Sequence, residues 1–198
     1  MINLNVRSGY DFLSSAIRLD DLVEKVSRDN QAAVAITDRN RLHGVYPFIK
    51  LARKHNVVPI VGMEVAVSYG ETTYTIITYA KNETGFRALI RISAYFTFKQ
   101  TETIPAETLA TMMDECLIVF LREESLTLKS VLNIPSDDMY QSHLMNEPDL
   151  TQLFIKPSYY LNAKDESVLT VVEAIRDNTR VDAHDLVHTE GDHYVRLM

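Results

Sequence analysis

Residues 33–64 read AVAITDRN RLHGVYPFIK LARKHNVVPI VGME, and this stretch decides the fold class. It begins with a short apolar run, Ala33 to Thr37, that is bounded by polar residues, as expected of a buried parallel strand. Val45 to His55 then places apolar side chains at helical spacing, with a proline near its start, where a helix tolerates one. Val57 to Val61 is another apolar run, and it continues to Glu64. Strand, helix and strand with short links predict parallel strands joined by a right-handed crossover.

The same alternation extends over most of the chain. Strand-like segments are Ile2 to Val6, Thr72 to Ala80, Cys116 to Leu121 and Leu153 to Leu161. Helical segments are Asp21 to Val26, Asn82 to Tyr95, Ala106 to Asp114, Leu126 to Leu132 and Asp165 to Asp177. Asp138 to Met145 fits neither pattern. The segments predict a single α/β domain of barrel type over residues 1–178, followed by a polar tail over residues 179–198.

The composition excludes several classes of protein. The net charge is −7 over 198 residues and no run of lysine and arginine is present, so most of the surface should repel nucleic-acid phosphates. The single cysteine, Cys116, cannot form an internal disulfide or a cysteine-based zinc site, and we expect it to be an inert core thiol. No apolar run has membrane-spanning length, and the N-terminus lacks the pattern of a signal peptide. We therefore expect a cytoplasmic protein that does not bind membranes.

Polar side chains lie at the ends of the first three predicted strands. Asn3, Asn5 and Arg7 alternate along the first strand and therefore share one face. The second strand ends in Thr37-Asp38-Arg39-Asn40 and the third in Gly62-Met63-Glu64. Because the carboxyl ends of strands line the active site of an α/β barrel, these residues form the candidate site. Ordinary polar strand ends are the alternative interpretation.

Several segments resemble the PHP (polymerase and histidinol phosphatase) domain at the N-terminus of bacterial DNA polymerase III α subunits. Asn3-Leu4-Asn5-Val6-Arg7-Ser8 matches a His-x-His-x-His-Ser run, Ile36-Thr37-Asp38-Arg39-Asn40-Arg41 matches Ile-Thr-Asp-His-Gly-Asn, Pro59-Ile60-Val61-Gly62-Met63-Glu64 matches Pro-Ile-Ile-Gly-x-Glu, and Ala80-Lys81-Asn82-Glu83-Thr84-Gly85-Phe86 matches Ala-Lys-Asn-x-x-Gly-Tyr. These segments are specific together, although none is specific alone. The resemblance implies a distorted (β/α)7 barrel of the PHP type.

The resemblance also implies a site for three metal ions, but this chain departs from the family at the ligand positions. The family uses His, Asp, Glu and Cys there, whereas this chain has Asn5, Arg7, Ser14, Arg39, Glu64, Thr75 and Tyr159, with Asn3 and Asp38 beside them. Of the matching residues only Glu64 is a competent ligand. Arginine stays protonated, and an amide oxygen is a weak neutral donor. We therefore expect no metal, no other cofactor and no catalytic residue in this degraded site.

A hypothesis follows from this replacement of charge. The guanidinium groups of Arg7 and Arg39 would occupy the vacated cluster, pair with Glu64 and Asp38, and hold the strand ends together as metal ions do elsewhere in the family. The alternative is that both arginines point into solvent.

The resemblance and the lost ligands together predict a non-catalytic N-terminal domain of a replicative DNA polymerase III α subunit. It would stabilise the polymerase, offer a contact surface to the other polymerase domains and to replisome proteins, and meet DNA only through the full-length enzyme. The tail, where we expect His184 and His188 to be surface residues, would lead into the rest of that enzyme. One alternative is an active metal-dependent phosphoesterase, of the 3′–5′ exonuclease or histidinol-phosphate phosphatase type. Another is a stand-alone binding module.

Overall fold

A computed structural model describes residues 2–162 and 165–179 of the chain. Its α-helices are α1 (Leu19–Arg28), α2 (Val45–Lys54), α3 (Glu83–Lys99), α4 (Ala106–Ala110) and α5 (Glu166–Asp177). Its strands are β1 (Asn5–Val6), β2 (Ala33–Ile36), β3 (Val58–Tyr69), β4 (Thr72–Ala80), β5 (Ile104–Pro105), β6 (Cys116–Phe120), β7 (Met139–Ser142), β8 (Thr151–Leu153) and β9 (Pro157–Ser158). Short 3₁₀ helices span Glu123–Ser130 and Ser136–Asp138. Among these helices, none is long and apolar enough to cross a membrane.

The described residues fall into two compact units that interleave in sequence. The first unit takes its residues from the ranges 1–36, 43–59 and 156–198. In it, β1 pairs in parallel with β9, and α1 packs against α2. The fully buried side chains of this unit include Val6, Ile17, Leu22, Val23, Val26, Val34, Ile36 and Phe48. An apolar interior thus lies beneath the end of β1, which the sequence analysis assigned to the candidate site.

The second unit takes its residues from the ranges 37–42 and 60–155. β3 and β4 form a long antiparallel hairpin through a turn at Gly70, whose φ of 60° is readily adopted by glycine. β6 pairs antiparallel with β4, β7 and β8 follow in parallel register, and β5 pairs in parallel with β3. α3 and α4 cover one face of this sheet, with the fully buried Leu89, Ile92 and Phe96 of α3 in the core cluster.

The segment Asn82-Glu83-Thr84-Gly85, which belongs to one of the motifs quoted above, has a clear function in packing. Asn82 caps α3, since its side-chain oxygen accepts hydrogen bonds from the amides of Thr84 and Gly85. A Cβ atom at Gly85 would overlap the carbonyl oxygen of Glu115 and approach the Cα atom of Ala80 to 3.1 Å. Glycine at this position therefore lets the start of α3 approach the chain just before β6.

The structure differs from the predicted secondary structure in four places. The (β/α)7 arrangement implied by the resemblance does not hold for β3, β4 and β6: β3 and β4 are antiparallel because a two-residue turn joins them, and β4 and β6 are antiparallel as well. The predicted strand Leu153 to Leu161 is two separate strands, β8 and β9. β7 lies in the segment that fitted neither pattern, and the predicted helix Leu126 to Leu132 lies largely within a 3₁₀ helix.

The fifth helix packs through a different face from the one its apolar spacing suggests. The sequence places Val168, Val171, Val172 and Ile175 in one stripe of this helix. In the structure, α5 instead buries Leu169 and Ala174. Val168, Val171 and Ile175 are exposed. Periodicity therefore identified the helix correctly but not the side through which it packs.

Candidate functional site

The first part of the candidate site lies at the end of β1 in the first unit. Asn5 is on the two-residue strand that pairs with β9, and the amide of Arg7 continues the pairing by donating to the carbonyl oxygen of Ser158 at 3.0 Å. Both Asn5 and Arg7 are buried. Asn3 lies just before the strand, where its side-chain amide donates to Gln31 at 3.1 Å. The predicted alternation therefore places polar side chains inside this unit.

Arg7 is held by a carboxylate and an aromatic ring. Its Nη1 atom lies 2.9 Å from Oδ2 of Asp11, and the two side chains are only 9% and 10% exposed. The guanidinium carbon also lies 5.6 Å from the centre of the Tyr159 ring, within the range of a cation–π interaction. The alternative that Arg7 points into solvent is therefore wrong. Asp11 is a partner that the sequence analysis did not identify.

Ser15 fixes the backbone around this ion pair. Its buried Oγ atom lies 2.6 Å from the carbonyl oxygen of Arg7 and 3.0 Å from that of Tyr159, and it accepts from the amide of Ile17 at 3.1 Å. The neighbouring Ser14, which was the predicted ligand position, is half-buried and its hydroxyl lies 3.4 Å from the carbonyl oxygen of Phe12. The hydroxyl with a structural function here is therefore that of Ser15.

The second part of the candidate site lies in the second unit, where the chain leaves β2 and meets β3. Arg39 and Glu64 form an isolated parallel bridge. The amide of Asn40 donates to the carbonyl oxygen of Glu64 at 2.8 Å, and the amide of Glu64 donates to that of Asp38 at 3.3 Å. Asp38 and Glu64 are 3% and 6% exposed, whereas Arg39 is exposed. The segment after β2 therefore meets Glu64, which lies within β3 rather than at its end as predicted.

Asn40 has a structural function in this region that the sequence analysis did not predict. Its buried side chain accepts from the amide of Ala66 at 3.0 Å and donates to the carbonyl oxygen of Glu102 at 2.9 Å. Its φ of 57° is left-handed, a conformation that asparagine tolerates better than most residues. Thr75, another predicted position, is half-buried on β4 opposite Ala66. The side-chain amide of Asn40 thus links its own segment to the backbone of Ala66 and to that of Glu102.

The residues present do not fit a cluster of metal ions. Within residues 2–162 and 165–179, no group of three His, Cys, Asp or Glu side chains is placed to hold an ion. In the first unit the carboxylate of Asp11 already binds a guanidinium. In the second unit Asp38 and Glu64 supply carboxylates, but Arg39, the residue that follows Asp38, carries a permanent positive charge. A dication would therefore meet two carboxylates and an additional positive charge rather than a set of neutral imidazoles.

Burial suppresses the ionisation of two other side chains, Cys116 and Tyr79. Cys116 is buried in the core, as expected, and burial raises the pKa of its thiol to about 11, so the thiolate is scarce at neutral pH. Burial also raises the pKa of Tyr79. His184 and His188 lie outside the residues that the structure describes.

Comparison with known proteins places this chain in a family. The PHP domain family matches residues 3–135. The DNA polymerase III subunit alpha of Staphylococcus epidermidis is 31% identical over 196 residues, which are 97% of this chain and 18% of that protein. The corresponding subunit of Staphylococcus aureus is 29% identical, over 96% of this chain and 18% of its own length. The chain thus spans less than a fifth of these relatives.

A solved amidohydrolase from Chromobacterium violaceum superimposes with a TM-score of 0.49 at 11% identity, over 90% of this chain and 84% of that one. The family match covers both parts of the candidate site, except for Tyr159. The resemblance proposed from the motifs is therefore confirmed, and with it the α/β fold class of the PHP type. The chain belongs to the PHP domain family.

Proposed function

We propose that this chain is a non-catalytic PHP domain of a DNA polymerase III α subunit that acts in bacterial DNA replication. The two relatives described above are such subunits, and their matches cover almost all of this chain. In this proposal the domain stabilises the polymerase, contacts its other domains and replisome proteins, and meets DNA only through the full-length enzyme. The proposal includes the cytoplasm as its location and residues 1–178 as the extent of the domain.

The observation that carries the proposal is the buried ion pair of Arg7 with Asp11. Arg7 occupies the position of a histidine in the family motif, so a fixed cation stands where a neutral ligand would bind metal. A dication about 4 Å from a guanidinium is repelled by about 8 kcal/mol at an effective dielectric constant of about 20. Asp11 neutralises this charge, but its carboxylate is committed to the guanidinium, so the pair offers a dication no net negative charge. The net effect disfavours a dication beside β1.

The ion pair also supports a structural function for the vacated site. It links the end of β1 to the turn that follows, under the ring of Tyr159. In the second unit we propose the corresponding arrangement, in which the Arg39 guanidinium compensates the buried carboxylates of Asp38 and Glu64. Because Arg39 is exposed, this second compensation would contribute less to stability than the buried pair of Arg7 with Asp11.

Elemental analysis tests this proposal directly. The full-length protein that contains this chain is dialysed without chelator and its zinc, manganese and iron are measured by mass spectrometry. We expect none of these metals at stoichiometric level, and no 3′–5′ exonuclease or phosphatase activity that depends on Glu64. Stoichiometric metal that is retained by the wild type and lost in Glu64→Gln would instead support the alternative, an active metal-dependent phosphoesterase.

A further inference from the structure

A cleft of about 800 Å³ lies on the first unit. We call it the α2 cleft, since it is bounded by the segment 9–20 and by one face of α2. Positions 47, 50, 51 and 54 of α2 line it, and this spacing puts them on the same side of the helix. Its apolar lining is formed by Ala16, Ile17, Leu19, Pro47 and Leu51. The cleft therefore offers an apolar surface that a ligand could cover.

The rim of the α2 cleft is positively charged, although the chain as a whole is acidic. Arg18, Lys50 and Lys54 line the cleft, and Asp20 is the acidic residue beside them. The whole chain carries a net charge of −7, so this local excess of positive charge has the opposite sign. Such a local reversal of charge attracts an anionic partner selectively to one place on the surface.

Within the described part of the chain, the two lysines of the cleft have no ion-pair partner. Lys50 and Lys54 are four residues apart on one helix, a spacing at which like charges repel each other. Both are exposed, and across the described part of the chain no carboxylate lies within ion-pair distance of either ammonium group. Arg18 is 78% exposed and reaches only Asp21, at 3.8 Å. An anionic ligand in the cleft would relieve the repulsion between the two lysines.

Exposed aromatic side chains lie beside these charges. Tyr10 lines the α2 cleft and is 50% exposed. Tyr46 is 79% exposed and lies four residues before Lys50, so it extends the same face of α2. Exposed tyrosines next to an apolar depression are typical of the energetic centre of a protein interface. The aromatic groups therefore indicate a ligand with an apolar part as well as negative charge.

We propose that the α2 cleft is a docking site for an acidic peptide segment of a separate protein, with one large apolar residue as its anchor. The apolar lining and Tyr10 receive the anchor, while Arg18, Lys50 and Lys54 pair with carboxylates on either side of it. A nucleic-acid strand is disfavoured because the remaining surface is acidic and would repel its phosphates. This site goes beyond the proposed function and does not depend on whether the vacated metal site binds an ion.

Peptide selection on the full-length protein tests the proposal. A displayed library of random peptides of about seven residues is selected on the wild type, with the double variant Lys50→Glu/Lys54→Glu used to remove binders of other surfaces. We expect enriched peptides to carry several Asp or Glu residues and one aromatic or long aliphatic residue. A synthesised winner should bind the wild type at least about tenfold more tightly than the double variant, since two favourable charge pairs become repulsive.

A matched control comes from the same helix. Arg53 is exposed on α2 but does not line the cleft, so Arg53→Glu reverses one charge beside the site, compared with two in the double variant. It should leave the affinity within about twofold of the wild type, since the exposed charge lies off the binding face. The proposal is overturned if no acidic peptide is enriched, if both substitutions weaken binding equally, or if a short oligothymidylate binds the cleft in place of the peptide. If another part of the full-length protein already covers the cleft, no acidic peptide is enriched, and the proposal of a separate partner is overturned in that case too.

Discussion

Arg7 and Arg39, which the proposal places at ligand positions of the family, have completely different surroundings. Arg7, at the end of β1, is buried against Asp11 and the ring of Tyr159. Arg39, after β2, is exposed, and its backbone forms a bridge with that of Glu64. The first arginine is therefore enclosed by the protein, whereas the second is accessible to solvent.

The difference shows what each environment requires of an arginine. A guanidinium in the interior needs a compensating charge, because an isolated buried charge is strongly unfavourable. Arg7 meets this requirement through a carboxylate only four residues away. Close to the surface, water can solvate a guanidinium. In the second region the side-chain amide of Asn40 joins Ala66 and Glu102. The two positions should consequently respond differently to the same substitution.

The largest expected effect comes from removing the buried cation. Arg7→Met should lower the free energy of unfolding by about 4 kcal/mol, because Asp11 is left buried without its charged partner. Arg39→Met should lower it by less than about 1 kcal/mol, since an exposed charge contributes little. Both values can be read from urea denaturation followed by circular dichroism.

A double variant separates the ion pair from the packing of the arginine stem. Arg7→Met/Asp11→Leu removes both charges, so it should regain most of the stability that Arg7→Met loses. Asp114→Asn, which breaks the exposed pair with Arg91, serves as the surface control. Equal losses for Arg7→Met and Arg39→Met would remove the distinction between the two regions.

The next largest effect is expected at Asn40. Asn40→Gly should lower the free energy of unfolding by about 2 kcal/mol, because the buried amide of Ala66 and carbonyl of Glu102 lose their partner. Asn40→Ala should cost about 1 kcal/mol more, since alanine resists the left-handed backbone at this position. Urea denaturation of both variants gives the comparison. If alanine and glycine were equivalent, the backbone conformation would contribute nothing to the choice of asparagine.

Local patterns in the sequence were sufficient for most of the elements and for part of the site. Apolar spacing predicted α2 to within one residue of its end, and the polar residues after the second strand were expected near Glu64, which the structure places inside β3. These features depend on residues close in sequence or on the common direction of parallel strands. They are therefore accessible to reasoning from periodicity and from strand ends.

The remaining features depend on pairings that no local pattern encodes. Asp11 lies in a turn without apolar periodicity, so its ion pair with Arg7 depends on the conformation of that turn, which residue spacing does not predict. Asn40 binds a carbonyl group 62 residues away along the chain. The hairpin of β3 and β4 did have a signal, since only Gly70 and Glu71 separate the two strands. That signal was outweighed by the expectation of strands alternating with helices.

Salt should distinguish the buried ion pair from an exposed one. Lys81 and Asp138 form a pair at 2.8 Å that is more exposed than the pair of Arg7 with Asp11. The coupling between Lys81 and Asp138, measured by a double-mutant cycle, should decline as the ionic strength rises from about 0.1 M to about 1 M, because the Debye length falls to about 3 Å. The coupling of Arg7 with Asp11 should change little. A parallel decline of both couplings would mean that water and ions reach Arg7 as readily as Lys81.

The smallest effect is expected from pH, and it separates an arginine pair from a lysine pair. The hydrogen bond with Asp138 is the main cause that raises the pKa of Lys81 above its usual value. A raised folded-state pKa means that the contribution of this pair is present below the unfolded pKa of about 10.4 and is lost as the pH rises through the higher folded value. Arginine does not deprotonate in this range, so the coupling of Arg7 with Asp11 should persist. Double-mutant cycles at pH 9, about 1.4 units below the lysine value, and near pH 11, about 0.6 units above it, provide the measurement. A loss of both couplings at the higher pH would point to opening of the turn around Asp11, since the guanidinium itself would still be charged.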